Sequence, residues 1–526
     1  MYPVPVPHVA VYGRVAVYER ASMTALFAGP LRAAGSGPDP DAGLLAGGAA
    51  GPAALRPLLG TVLEALERGA VERGGPLPCG GPEAVAARVR AAAGAVLPRE
   101  GVGAAAALDS LVGVVAEGAA DPAEPLCAAH LHCPPLAVAA AADVAASALN
   151  PSMDSWDQAP AASELEALVC RELARLVFPG AAGAEDRPEA SGRPDAAGPD
   201  AAGPDAAGPD ALVTTGGTEA NQLGLLLARE SARGVRVVCG ANAHHSVHRS
   251  AWLLGMEPPL VVPTPQGVLD PAAVGVALAG LGGAPSLVVA TAGTTDTGAV
   301  DPLGGIAGVA RRFGARLHVD AAYGGPLLFS EGLRGRLAGL EHAASVTFDL
   351  HKLGWQPVAA GFLAVPDGRV LRPLEHCADY LNAGDDTEAG LPDLLGRSLR
   401  TTRRPDVLKV AVTLRALGRA GLAGLVERTC AAAAELAGLV ADGERFELYA
   451  RPEISTVVFR PAGGDDALVA RVRRRLLERG QAVLGRASLG GRLWWKVTLL
   501  NPAVLPGDLA ALLKLVEEAM EEGSGA

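Results

Sequence analysis

Between residues 235 and 365 short apolar runs recur, separated by segments of helical character: Val235-Arg-Val-Val, Leu260-Val-Val, Ser286-Leu-Val-Val-Ala, Arg316-Leu-His-Val, Ser345-Val-Thr-Phe and Gly361-Phe-Leu-Ala-Val. A strand that is apolar on both faces must be covered on both faces, and parallel strands need a long crossover, usually a helix. The pattern predicts an α/β fold with a largely parallel sheet between helical layers. Open sheets of this kind bind ligands beyond the carboxyl ends of their strands, so the residues that follow each apolar run are where chemistry is expected.

With 526 residues, 49% of them hydrophobic, the chain is long enough for more than one domain. Helical patches at Leu55 to Leu66 and Pro82 to Val96, broken by Gly and Pro, predict a helical N-terminal segment over 1–125. A large α/β domain is expected over 126–370. Within it, 182–210 is a low-complexity insertion loop ending in tandem Pro-Asp-Ala-Ala-Gly copies that cannot bury a core face. Over 371–526 the pattern predicts a small α+β domain, with helices at Val407 to Ala420 and Leu422 to Asp442, strands near Ser455-Thr-Val-Val-Phe and Trp494-Trp-Lys-Val-Thr, and a closing helix from Pro506 to Glu522.

The net charge of −12 comes without a lysine/arginine block, which argues against nucleic acid as a partner. Seven scattered cysteines without a CxxC pair fit reduced thiols in a cytoplasmic protein and give no metal-ligand spacing. No apolar stretch is long enough to span a membrane, and the N-terminus lacks the pattern of a secretion signal.

Lysine is nearly absent: Lys352, Lys409, Lys496 and Lys514 are the full set. Lys352 ends the run Ser345-Val-Thr-Phe-Asp-Leu-His-Lys at a strand end, where a desolvated amine can lose its proton and condense with a carbonyl, as a guanidinium cannot. The other three carry no such signal. Thr214-Thr-Gly-Gly-Thr-Glu-Ala-Asn opens a helix, whose free N–H groups and Thr218 hydroxyl suit a phosphate. Asp320 ends a strand and suits a cationic ring nitrogen; His244, favoured over His245, can lie against a planar ring; Thr294 and Thr295 end another strand. Singly, each has an ordinary structural explanation as a cap, a turn or a loop residue. Together, a phosphate seat, a stacking imidazole, a carboxylate for a pyridinium and an amine-bearing strand end specify pyridoxal phosphate.

These motifs resemble the group II pyridoxal-phosphate decarboxylases over about His130 to Pro502. The likeness rests on MDSWDQAPAASELE from Met153, TTGGTEAN, AHHS, TAGTTDTGAVDPL, HVDAAYGG, DLHKLGWQP and TTRRPDVLK from Thr401. It implies a fold type I enzyme with a mostly parallel seven-stranded sheet, and a homodimer with the site at its interface. Carried over by motif, Lys352 is the cofactor-binding lysine, Asp320 the pyridinium partner, His244 the stacking imidazole and Ala322 the contact on the opposite ring face. Gly217, Thr218 and His351 are phosphate-side contacts, Thr295 lies near the ring hydroxyl, and Tyr380 is the general acid of a mobile loop.

For substrate, the segments His130-Leu-His-Cys-Pro-Pro and Asn150-Pro-Ser-Met-Asp-Ser-Trp look most like bacterial diamino-acid decarboxylases acting on lysine or 2,4-diaminobutyrate, often in siderophore pathways. Asp154, Pro134 and Arg404 are the candidate substrate-side residues, Asp154 facing a distal ammonium or else capping a helix. Pro135 departs from a threonine common among relatives, which leaves the carboxylate contact to another group. An aromatic-L-amino-acid decarboxylase, an aminotransferase and a degenerate binding protein of the same fold remain alternatives at this level.

Overall fold

The computed structural model describes residues 45–180 and 208–522, apart from Cys377, Asp379, Tyr380, Asn382 and Ala383. Internal packing separates Met1–Leu55, of which only 45–55 are described, from Arg56–Ala526. The predicted insertion loop falls outside the described residues as far as residue 207, and its last residue, Asp210, opens a strand instead.

Seven strands, β1 (Asp210–Thr214), β2 (Arg236–Gly240), β3 (Leu260–Val262), β4 (Ser286–Thr291), β5 (Arg316–Ala321), β6 (Ser345–Asp349) and β7 (Gly361–Val365), form one sheet in the order β1-β7-β6-β5-β4-β2-β3. β3, β2, β4, β5 and β6 run parallel, while β7 lies antiparallel to both β6 and β1. The expected mostly parallel seven-stranded sheet is the one observed.

The helices are α1 (Gly51–Arg73), α2 (Gly81–Ala93), α3 (Ala104–Glu117), α4 (Ala137–Leu149), α5 (Pro160–Val177), α6 (Gly217–Ser231), α7 (Ser246–Leu253), α8 (Pro271–Gly280), α9 (Leu303–Arg312), α10 (Gly384–Glu388), α11 (Val407–Asp442), α12 (Asp466–Glu478) and α13 (Pro506–Glu521). Strand side chains alternate between two cores, as the two-residue period requires. On β4, Val288 and Ala290 pack with residues of α5, α8 and α9, while Leu287 and Val289 pack with α6 and α7. Both faces of the sheet are therefore covered. Among the described residues, no helix is long and apolar enough to cross a membrane.

A second, antiparallel sheet joins β8 (Phe446–Leu448), β9 (Thr456–Pro461), β10 (Gly485–Leu489) and β11 (Arg492–Thr498) in the order β10-β11-β9-β8. The β10–β11 hairpin turns on Gly490 and Gly491, with φ of 58° and 72°, the left-handed pair that a two-residue hairpin demands. Trp495 and Val497 of β11 face a core shared with α12 and α13. By alternation, Lys496 leaves the opposite face.

The two helices expected over 407–442 are one run, α11, interrupted at Gly418, whose φ of 61° and ψ of −179° are not helical. Glycine tolerates that conformation where a side chain would be strained.

Candidate active site

One rung of the large sheet carries the polar residues. At the carboxyl ends of neighbouring strands Thr291 pairs with Asp320 and Asp320 with Thr347, while Asp349 lies opposite Gly361 on β7. Beyond this rung opens a cavity of about 430 Å³. All eight predicted cofactor residues line it: Gly217, Thr218 and His351 together, then His244, Ala322, Thr295, Asp320 and Lys352.

The helix start is shaped for close approach. α6 begins at Gly217 with Gly216 as its cap and no side-chain capping bond. A Cβ at Gly217 would come within 2.9 Å of the Ala322 methyl, and one at Gly216 within 2.9 Å of the His351 ring. Both glycines thus keep open a cradle that any side chain would fill, with the positive end of the helix dipole behind it.

Asp349 is fully buried. Its Oδ2 lies 2.9 Å from Lys352 Nζ, accepts the Gly217 N–H at 3.1 Å and lies 3.5 Å from His351 Nε2. The other oxygen, Oδ1, and His351 Nδ1 are buried without a hydrogen-bond partner. Burial lowers the His351 pKa from its usual value, against the pull of Asp349. Buried polar atoms are nearly always bonded, so the unmatched His351 nitrogen beside the start of α6 marks a seat for a polar ligand, while the free Asp349 oxygen calls for a donor.

Asp320, 5% exposed, accepts from Ala322 N at 3.1 Å and from Asn221 Nδ2 at 2.7 Å, both neutral donors. His244 is lowered in pKa by burial, and its Nδ1 lies 2.8 Å from Ser246 Oγ. His245 instead caps α7 and does not line the cavity. Tyr323 closes one wall: its buried hydroxyl bonds Ser455 Oγ and Thr456 Oγ1 at 2.8 and 2.9 Å, tying the cavity to the second sheet. The donor set fits pyridoxal phosphate: a helix start for its phosphate, Asp320 for a ring nitrogen, His244 and Ala322 for the ring faces, and Lys352 for its aldehyde.

Comparison with known proteins gives the same answer. A model described as the pyridoxal-dependent decarboxylase conserved domain matches residues 111–462. The chain belongs to this family. The decarboxylase is 39% identical over 442 residues to the L-2,4-diaminobutyrate decarboxylase of Rhizobium meliloti (strain 1021), covering 81% of this chain and 84% of that one. It is 31% identical over 455 residues to the L-2,4-diaminobutyrate decarboxylase of Acinetobacter baumannii, covering 80% and 84%. Among solved structures, it matches the glutamate decarboxylase domain of the diaminobutyrate-pyruvate transaminase and L-2,4-diaminobutyrate decarboxylase from Vibrio parahaemolyticus at 30% identity and a TM-score of 0.77, over 92% of this chain and 99% of that one. The Oryza sativa TDC with PLP and tryptamine matches at 25% identity and a TM-score of 0.77, covering 89% and 98%.

The substrate-side candidates of the decarboxylase stand elsewhere. Asp154, Pro134 and Arg404 do not line the cavity of their own chain. Asp154 is buried, with Oδ1 accepting from Gln158 Nε2 at 2.8 Å, and Arg404 pairs with Asp143 at 2.7 Å. Tyr380 lies outside the described residues. Two of the motifs are joined by a buried ion pair, Arg403 to Glu166 at 2.6 and 2.7 Å, and the Arg403 carbonyl accepts the N–H of Met153 beside Asp154.

Local sequence pattern does not single out Asn221, Asp349 or Lys496. The first two sit inside quoted motifs, so only their contacts were hidden. Lys496 Nζ donates to the carbonyl of Thr295, on the cavity wall, at 3.0 Å, and burial lowers its pKa. Its signal was a lone lysine inside the apolar strand Leu493-Trp-Trp-Lys-Val.

Proposed function

We propose that the enzyme removes the α-carboxylate of a diamino acid, L-2,4-diaminobutyrate or L-lysine, releasing carbon dioxide and the amine, and that it works as a homodimer in the cytoplasm. The observation that carries the substrate class is the relationship to two enzymes named for L-2,4-diaminobutyrate, each matched over most of both chains. Asp154 supports it. A buried carboxylate needs a counter-charge, and the distal ammonium of a diamino acid bound in the partner's cavity supplies one.

When bound, pyridoxal phosphate offers an aldehyde that condenses with amines and a ring that accepts the electron pair left by departing carbon dioxide. The chain's residues set the conditions. Gly216, Gly217, Thr218 and His351 would hold the phosphate, and Lys352 would hold the aldehyde end. Asp320 would hold a proton at the ring nitrogen, which suits the ring to accept electrons. His244 and Ala322 would hold the ring between them.

Lys496 takes the substrate α-carboxylate, the contact for which Pro135 has no side-chain donor. A cation that holds the carboxylate in one fixed orientation would favour its loss, because binding energy is then realised along the reaction coordinate. Tyr380 would return a proton to the α-carbon.

The test offers the holoenzyme L-2,4-diaminobutyrate, lysine, ornithine, tyrosine, tryptophan and glutamate, and measures carbon dioxide and amine. Turnover of a diamino acid well above the rest is expected; turnover of tyrosine or tryptophan without any diamino acid would overturn the substrate class.

A further inference from the structure

Asn221 stands in the first turns of α6, fully buried behind the cavity, and all four hydrogen-bonding positions of its amide are taken. Nδ2 reaches Asp320 Oδ2 at 2.7 Å and Ser246 Oγ at 2.8 Å. Oδ1 accepts from Thr347 Oγ1 at 2.7 Å and lies 3.0 Å from His318 Nε2. The orientation of this amide is dictated, because a carboxylate only accepts and the NH₂ group must face Asp320.

From that one constraint the protons of the whole chain of groups follow. Since Asn221 Oδ1 accepts, His318 carries its proton on Nε2, and its Nδ1 accepts from Ser345 Oγ at 2.8 Å. On the other side Ser246 Oγ accepts from Asn221, so its own hydrogen goes to His244 Nδ1. The Ser246 backbone N–H donates to the same nitrogen at 3.3 Å. His244 is thereby held as the neutral form protonated on Nε2.

We propose that Asn221 is a positioning residue for the decarboxylation: it holds the ionised Asp320 carboxylate at the ring nitrogen and, through Ser246, fixes the neutral Nε2–H form of His244. The inference rests on the reading that Asp320 serves the cofactor ring. It adds a reason for the coupling. A cationic imidazolium against a ring that must itself carry a proton would repel it and draw on the charge of Asp320; a neutral imidazole does neither. Burial of both histidines acts in the same direction, lowering His244 and bringing His318 down to about 4.

The test uses the full chain labelled with ¹⁵N-histidine, first without cofactor and then titrated with pyridoxal phosphate; a His244→Gln spectrum assigns the His244 ring nitrogens. In the wild type, the His244 signals should report a proton on Nε2 alone. Asn221→Leu should mix the two neutral forms of His244 and weaken pyridoxal phosphate binding roughly tenfold or more, the scale set by removing a donor from a buried charge. Ser246→Ala should disturb His244 while leaving cofactor affinity within about threefold, since Asn221 still holds Asp320. If Asn221→Leu does not fold, Ser246→Ala decides the coupling, and Asn221→Ser, with a shorter donor, decides the affinity.

Unchanged His244 nitrogens in Ser246→Ala and in a folded Asn221 variant would overturn the positioning role. Disturbed nitrogens with unchanged cofactor affinity in the Asn221 variant would instead overturn the assignment of Asp320 to the ring. The first result concerns the cofactor-free chain and does not touch the functional reading.

Discussion

His318 offers a stability measurement whose size follows from the structure. The ring is fully buried behind Asp320, with Gly224 so close that a Cβ there would sit 2.6 Å from its Cε1. Burial lowers its pKa from 6.5 to about 4, outweighing the attraction of Asp320. The unfolded chain therefore binds a proton at a pH where the folded chain does not. Stability from this group is fully present above 6.5 and is lost as pH falls toward 4. At about 1.4 kcal/mol per pH unit, the loss between pH 7 and pH 5 is about 2 kcal/mol. His318→Gln keeps an N–H for Asn221 but cannot titrate. Urea unfolding of cofactor-free wild type and variant, followed at both pH values by circular dichroism and tryptophan fluorescence, isolates the term, because His244 and His351 remain in both proteins. The wild type should lose about 2 kcal/mol more than the variant on acidification. Equal losses, or a His318 ring titrating near its ordinary value, would refute the reasoning.

Lys352→Arg keeps a cation beside Asp349 but cannot condense with an aldehyde, so the variant should fold normally, lose its cofactor on gel filtration and show no turnover; surviving turnover would remove Lys352 from the mechanism. Lys496→Met should raise the substrate KM roughly tenfold while leaving pyridoxal phosphate affinity near wild type, with Lys496→Arg restoring most of the loss. A cofactor-affinity defect in Lys496→Met without a KM change would assign it to the cofactor instead. Glu166→Gln strands the buried Arg403 charge and should cost about 3–5 kcal/mol in urea unfolding, part of it recovered in Glu166→Gln/Arg403→Met; an unchanged midpoint would mean that the pair is dispensable.

The strands β2 to β7 are legible because each is a short apolar run that needs cover on both faces, and the eight residues that meet at the cavity are legible because each follows such a run or opens a helix. What escaped notice depended on partners distant in sequence. Asn221 matters through Asp320, 99 positions away, and Glu166 through Arg403, 237 positions away. Local pattern cannot pair them. β1 was hidden because it begins at the last residue of a low-complexity segment and leads directly into Thr215-Gly-Gly, where the helix signal dominates. The break at Gly418 reads as a gap between helices, since a lone glycine in a helical pattern looks like a helix end.

The two buried carboxylates of the cavity have different charge environments, and on the proposed assignment this difference would orient pyridoxal phosphate. In the cofactor-free chain Asp349 has a cation at 2.9 Å, Lys352, which matches its charge. The bonds of Asp320 come from the neutral donors Ala322 and Asn221, and among the described residues it forms no ion pair. A buried carboxylate held by neutral donors retains a strong field for one further cation. Only one end of pyridoxal phosphate can supply it, the ring nitrogen, because the other end is an anion suited to the start of α6. Reversing the cofactor would set phosphate against Asp320 and a pyridinium against the helix N-terminus, repulsive at both ends. On the proposed assignment, the strand register that puts Asp320 level with Thr347, and the packing of α6 against β5 and β6, would set the direction in which the folded chain accepts pyridoxal phosphate.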